Sequence, residues 1–274
     1  MSAVLRSGST TEVLAASVSG NEKLTIIAGG KKLTGKASSI VAKVVMNEMG
    51  TGFEKEAIKA QAVAAYTFIK QQNKSGVTPY FGVKTPTAEL QKTVNSVIGK
   101  AVYYKSNLAF TPFYATSAGV TVSSKDVWGG SYPYLVSVDS EIDEQAKNYK
   151  QSVSFDADTV AEKVEDKLDI DLYDYSDDPS DWFDIKSYTE GDRYVKTIRV
   201  GDKTTTGRIL REQVFGLRSA AFDVDYSKGK FTFTTYGYGH GVGMSQTGAN
   251  LYASVDDWNY VDILTHYYPG CKVK

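Results

Sequence analysis

Hydrophobic and polar positions along the chain fall into two periods, and their changes mark out the elements. Lys23-Leu24-Thr25-Ile26-Ile27-Ala28 followed by Gly29-Gly30 reads as a strand and a turn. From Ser38 the period becomes helical: Ile40, Val41, Val44, Val45, Glu48 and Met49 recur at one-turn spacing. This predicts a helix over 38–49, capped by Ser38 or Ser39 and stopped at Gly50. A second helix follows, capped by Thr51 or Gly52, with Glu54 and Glu56 suited to its positive end. Its packing stripe is Ala57, Ala60, Val63, Ala64, Thr67 and Phe68. The stretch 80–138 reads as β-rich, with a helix near 87–98. Beyond it come a strand from Tyr194 to Val200 with a Gly201-Asp202 turn, a short helix over Thr206–Leu217, and a hairpin over 222–235 turning at Lys228-Gly229. A final helix carries Trp258, Tyr260, Ile263 and Tyr267 on one stripe. These helices and strands are read together as an α+β fold.

At 274 residues the chain can bury a sizeable core, and it reads as one continuous domain. Its 31 Lys and Arg nearly balance 32 Asp and Glu, so no global basic excess points to nucleic acid. The balance hides an asymmetry. Residues 156–184 hold twelve acids against Lys163 and Lys167, a net −10 on a chain whose total is −1, leaving +9 elsewhere. The acidic stretch reads as a solvated insertion, and the basic remainder suits a polyanionic or carboxylate-bearing partner. One cysteine, Cys271, excludes an intrachain disulfide. Two histidines, His240 and His266, argue against structural zinc, and no cofactor is expected. No run of about 18 apolar residues reads as a membrane span, and Met1–Arg6 lacks a signal-peptide pattern.

Three places could carry chemistry. Glu48 lies four residues after Val44 and three after Val45, on the apolar stripe of its helix. Partial withdrawal from water favours the protonated form of a carboxyl, the form a general acid uses. Capping of the next helix, or a pair with Lys59, would also account for it. The second place is Tyr236-Gly237-Tyr238-Gly239-His240-Gly241-Val242-Gly243-Met244-Ser245-Gln246, whose alternate glycines let backbone approach a ligand. It matches neither a P-loop nor a dinucleotide fingerprint, and a plain tight turn is the alternative. The third is Thr116-Ser117-Ala118-Gly119 with Asp126-Val127-Trp128-Gly129-Gly130, where hydroxyls and an aromatic face suit a sugar, or where a turn simply buries a Trp. Ser245 and His240 could join an aspartate in a triad, but Ser245 is not in a Gly-x-Ser-x-Gly elbow.

These pieces resemble the stage II sporulation protein D (SpoIID) family. The resemblance rests on Asn47-Glu48-Met49 with Glu56 to Ala65, on Thr116 to Thr121 with Asp126 to Gly130, on Gly216 to Ser219, on Gly239 to Gln246, and on Ile263 to Gly270. It implies an α+β catalytic domain with helices and antiparallel sheet around a substrate groove. It implies lytic transglycosylase activity that cuts peptidoglycan glycan strands between N-acetylmuramic acid and N-acetylglucosamine, preferring strands stripped of stem peptides and leaving 1,6-anhydro ends. A cell-wall amidase is the implied partner, and the implied place is outside the cytoplasm, membrane-anchored, during engulfment of the forespore. The alternative is a non-catalytic, peptidoglycan-binding amidase enhancer. By the resemblance Glu48 is catalytic, and Lys59, Tyr66, Ser117, His240, Ser245 and Gln246 bind substrate. The family usually has arginine where Tyr66 stands and proline where Gly50 stands. Some members hold zinc through a histidine and cysteines. Tyr114 replaces that histidine here, so no metal is expected.

Overall fold

In the computed structural model, which describes residues 22–274, the chain is α+β and divides into two compact units. One holds the residues up to Pro112 together with Ala249–Lys274; the other is Phe113–Gly248.

The first unit opens with an antiparallel hairpin, Lys23–Ala28 against Lys31–Lys36, closed by positive-φ Gly29 and Gly30. The helix Ala37–Glu48 follows directly and buries Ile40, Val41, Val44 and Val45. Its N-cap is Lys36, without a side-chain cap bond, not Ser38 or Ser39. The orphan amide at its start is instead satisfied at long range, Ala37 N–H donating to the Glu22 carbonyl at 2.6 Å. The next helix is Lys55–Lys74, capped by Glu54 rather than Thr51 or Gly52. Again the side-chain cap is replaced from afar, because Glu54 N–H donates to Asn250 Oδ1 at 2.7 Å. Its small residues Ala57, Ala60 and Ala64 are fully buried. They let the helices Ala37–Glu48, Ala88–Asn95 and Tyr260–Tyr267 pack closely against it. A small antiparallel sheet of Cys271–Val273, Val102–Tyr104 and Asn107–Leu108 completes this unit.

The 80–138 region is not β-rich. Its strands are short pieces at Val102–Tyr104, Asn107–Leu108 and Phe113–Tyr114, and its β-branched residues mostly pack in irregular chain. The helix expected near 87–98 runs Ala88–Asn95, with Thr87 Oγ1 accepting from Leu90 N–H.

The second unit contains two three-stranded antiparallel sheets. One orders Phe222–Ser227, Lys230–Tyr236 and Lys150–Asp156; the other orders Phe183–Tyr188, Val195–Val200 and Lys203–Thr205. The 222–236 hairpin turns through Lys228 and Gly229, both at positive φ. A shared core joins Trp182, Ile198, Val200, Leu210, Phe231 and Phe233. The acidic stretch 156–184 contributes to that core. Its helix Ala157–Leu168 buries Val160 and Val164, while most of its acids stay exposed. The helix beginning at Gly207 is capped by Thr206 and widens into a π-helix over Leu210–Phe215 before Gly216 ends it.

Candidate functional site

In the first unit, Glu48 is the last residue of its helix and is half-buried, one turn beyond the buried Val44 and Val45. Met49 caps the helix through an N–H bond to the Val45 carbonyl, and Gly50 turns the chain at φ +70°. Lys59 lies on the following helix and pairs with Glu56 at 2.5 Å, under the ring of Tyr260. The second carboxylate oxygen of Glu56 accepts from Tyr260 N–H at 2.9 Å, so this acid ties two helices together while holding Lys59. Tyr66 is only 1% exposed. Its hydroxyl donates to Glu22 Oε2 at 2.6 Å and accepts from Lys70 at 2.8 Å, and Lys70 also reaches Glu22. Burial, then the bond to Glu22, pushes the Tyr66 phenol up to about 12. A tyrosine here thus closes a three-residue polar lock.

In the second unit, two of the sequence motifs meet. Met244–Ser245 pairs in parallel with Phe113–Tyr114, and Thr116 bridges Tyr238. Val122 N–H reaches the Gly241 carbonyl at 2.8 Å, so the glycine loop is strapped along 113–122. Gly237 makes this approach possible. At φ +69°, a Cβ there would sit 2.6 Å from the carbonyl oxygens of Thr116 and Ser117.

Beneath the strap lies a residue that the sequence reading missed. Asp143 is fully buried and accepts three serine hydroxyls: Ser117 at 2.6 Å and Ser140 at 2.7 Å on Oδ2, and Ser245 at 2.9 Å on Oδ1. Burial pushes its carboxyl up to about 6, against the pull of the three hydroxyls. Ser117 and Ser245 are themselves unexposed, so their hydroxyls act on the loop's shape through Asp143. Ser245 also accepts from Gly248 N–H at 3.0 Å. Gln246 is buried at the start of the helix Gln246–Val255. Local sequence gave no sign of Asp143, because it stands among Glu141 and Glu144 and reads as part of a solvated acidic turn.

His240 is half-buried between the rings of Tyr114 and Trp128, with centroids 5.3 and 5.1 Å away. Its Nδ1 accepts from Val242 N–H at 3.1 Å, which leaves the proton of the neutral ring on Nε2. Burial, and next the charge of Arg211, pull its pKa down to about 4, while a backbone hydrogen bond to Phe113 opposes the shift. Ser245 gives its proton to Asp143 and His240 binds backbone, so the hydroxyl and imidazole of the formal triad are committed elsewhere. Trp128 is 38% exposed on the helix Ser124–Trp128, and Tyr132 and Tyr238 are exposed as well, the Tyr238 ring lying under the Arg218 guanidinium.

Beside His240 opens a cavity of about 460 Å³. Lys196, Arg208 and Arg211 line it along with Thr189 and Tyr194. No group of three or more metal-ligating side chains gathers among the described residues, and no described helix is long and apolar enough to cross a membrane.

Known proteins bear on this geometry. The family model described as "SpoIID: Stage II sporulation protein" matches residues 35–117, a span that includes Glu48, Lys59, Tyr66 and Ser117. Stage II sporulation protein D of Bacillus subtilis (strain 168) is 35% identical over 260 residues, 85% of this chain and 73% of that protein. The protein of the same name from Bacillus amyloliquefaciens is 32% identical over 261 residues, covering 85% and 72%. A Bacillus subtilis (strain 168) protein named amidase enhancer is 32% identical over 100 residues, 34% of this chain and 14% of that protein. Likeness at this level, over most of both chains, places the chain in the stage II sporulation protein D family.

Proposed function

We propose that this chain is a peptidoglycan lytic transglycosylase acting during sporulation, outside the cytoplasmic membrane and alongside a cell-wall amidase. The observation that supports this most is Glu48 itself, a half-buried carboxyl that continues a buried helical stripe inside the span the family model matches. In this reading Glu48 protonates the oxygen between muramic acid C1 and the next glucosamine, and the C1–O bond breaks. The carboxylate then takes the proton of the muramic 6-hydroxyl as that oxygen bonds to C1. The net change is one bond exchanged for another, with no water consumed. One carboxyl suffices because the nucleophile belongs to the substrate, whereas ordinary glycosidases place two carboxylates about 5–9.5 Å apart. Holding the 6-hydroxyl in place is a proximity effect. Within the first unit we assign sugar contact to Lys59; within the second, to His240 and Gln246, with stacking on the exposed Trp128 and Tyr132. Ser117 and Ser245 fix the loop through Asp143.

Cleavage of purified, peptide-free glycan strands in ¹⁸O-labelled water tests this reading. Anhydro ends without label are expected. Labelled reducing ends would make the protein a hydrolase. The partial match to an amidase enhancer favours a second reading, a wall-binding protein that stimulates an amidase. That reading predicts uncut strands in this assay and, on peptide-bearing wall material, faster peptide release by an added amidase.

A further inference from the structure

The strand Lys150–Asp156 forms one edge of its three-stranded sheet and is exposed along its length apart from Phe155. It runs against Lys230–Tyr236 in unbroken antiparallel register, from Lys150 opposite Tyr236 to Asp156 opposite Lys230. The ends of this ladder show which main-chain groups face the sheet. Gly237 N–H donates to the Tyr149 carbonyl at 2.8 Å and Ala157 N–H to the Gly229 carbonyl at 3.0 Å; between them the Thr235 hydroxyl reaches the Gln151 carbonyl at 2.9 Å. In an antiparallel pair such positions recur at every second residue. The odd-numbered residues from Tyr149 to Ala157 therefore turn their amides and carbonyls to the sheet. Those of Lys150, Ser152, Ser154 and Asp156 point to the open side.

Exposed edges are usually blunted by a proline, a bulge or an inward-pointing charge. This strand has no proline and no register shift, and its core-facing positions are Gln151, Val153 and Phe155. Val153 stands opposite the fully buried Phe233 yet is 39% exposed, because no strand lies beyond it. Independently, the order of residues makes the strand its own complement about Val153: Lys150 mirrors Asp156, and Ser152 mirrors Ser154.

We propose that two copies of this chain associate through this edge, Lys150–Asp156 against the same strand of the other copy, with the two-fold axis at Val153. In this register all four outward-facing residues occupy hydrogen-bonded positions, and Lys150 of each copy lies opposite Asp156 of the other. An axis at Ser152 or Ser154 leaves Asp156 or Lys150 beyond the end of the partner strand, and a slip by one residue sets outward groups against inward ones. The two Val153 side chains meet on the core face and leave water. On the other face Ser152 and Ser154, already bonded to Thr234 and Thr232 at 2.9 Å, continue a row of hydroxyls across the axis. Asp156 also pairs with Lys230 at 3.3 Å, and Lys150 lies over the Tyr236 ring; these contacts are exposed and weak, and each charge keeps room for a second partner. One strand pair is a small interface, so the association is reversible and depends on concentration. It stands apart from the glycan-cleaving reading.

The test uses the full chain. Val153→Cys sets a thiol beside its own counterpart across the axis, where the Cα atoms of a non-hydrogen-bonded pair are about 4.5 Å apart, within the disulfide range of roughly 4.4–6.8 Å. Mild oxidation should link this variant into dimers, while Gln151→Cys, which faces Phe155 of the other copy, should stay at the wild-type level set by the buried Cys271. Strongest linking at Ser152→Cys or Ser154→Cys, or equal linking at every position, would overturn the register. Sedimentation equilibrium follows the uncrosslinked protein, and wild type should show a monomer–dimer equilibrium. Lys150→Asp and Asp156→Lys each place like charges at both ends of the pairing and should weaken self-association roughly tenfold or more. Mixed together the two variants are complementary again and should associate as wild type does, which a folding defect could not produce. Ser154→Pro removes only an outward amide, a change that edge strands tolerate, and should abolish association while circular dichroism stays that of the folded chain. A wild type that is monomeric throughout and gives no disulfide at position 153 would overturn the proposal. So would charge variants that self-associate like wild type, or that fail to associate when mixed.

Discussion

Replacing Asp143 by asparagine isolates a buried, strongly perturbed carboxyl of the second unit. The folded chain holds the Asp143 proton up to about pH 6, while the ordinary carboxyl releases it near 3.8. A pKa raised on folding stabilises the fold fully below the unfolded value and loses that contribution as pH rises through the folded one. Over this window the wild type should therefore lose about 3 kcal/mol relative to a side chain that cannot ionise, at about 1.4 kcal/mol per pKa unit. Asparagine is such a side chain. It keeps an acceptor for two of the serine hydroxyls, and the third can rotate to accept from its amide. The readout is the difference in urea unfolding free energy between Asp143→Asn and wild type at pH 4 and at pH 7.5. This difference cancels the opposite trends of lowered carboxyls such as Asp126 and Glu22. Asparagine should gain about 2.4 kcal/mol on wild type across the interval, because the unfolded carboxyl is already partly ionised at pH 4. A difference that does not change with pH would show that three hydroxyls suffice to keep Asp143 ionised, and the burial argument would fail.

Other expectations follow from single observations. His240 should stay neutral with its proton on Nε2 down to about pH 4 in ¹⁵N spectra. Because that pKa is depressed, its contribution to stability is complete above 6.5 and declines as pH falls to 4. Tyr66→Phe removes one donor to Glu22 and one acceptor from Lys70, and thermal melts should show a loss of about 1–3 kcal/mol. Gly237→Ala should destabilise more than Gly216→Ala. Both adopt positive φ, worth roughly 1–2 kcal/mol to an L-residue, but only at 237 does the new Cβ collide with backbone. Equal losses would mean that the strap yields.

What the sequence disclosed followed periodicity and turn chemistry. Ile40, Val41, Val44 and Val45 announce their helix because one packed face repeats with the helical turn. Lys228-Gly229 announces its hairpin because the turn needs two positive φ values. The helix starts were misread for a common reason: their amides are satisfied by Glu22 and Asn250, partners that no local rule supplies. The acidic stretch misled similarly. Its charge is visible at once, but Val160 and Val164 are only two positions four apart among many acids. In the candidate site, the glycine loop and the Ser117 motif stand out in composition, and the structure joins them. Asp143 lies 26 residues from Ser117 and 102 from Ser245, so their meeting is a product of tertiary structure alone. Arg208 and Arg211 look like the outer face of an ordinary short helix until the cavity is seen.

The central claim is that one carboxyl, Glu48, carries both proton transfers. Peptide-free glycan strands incubated with wild type and with Glu48→Gln, which keeps size and hydrogen bonding but holds no transferable proton, test it most directly. Mass spectra should show anhydro-ended fragments, one water lighter than hydrolysis products, from wild type only, while both proteins bind the strands alike. Anhydro ends released by the glutamine variant at the wild-type rate would contradict the account.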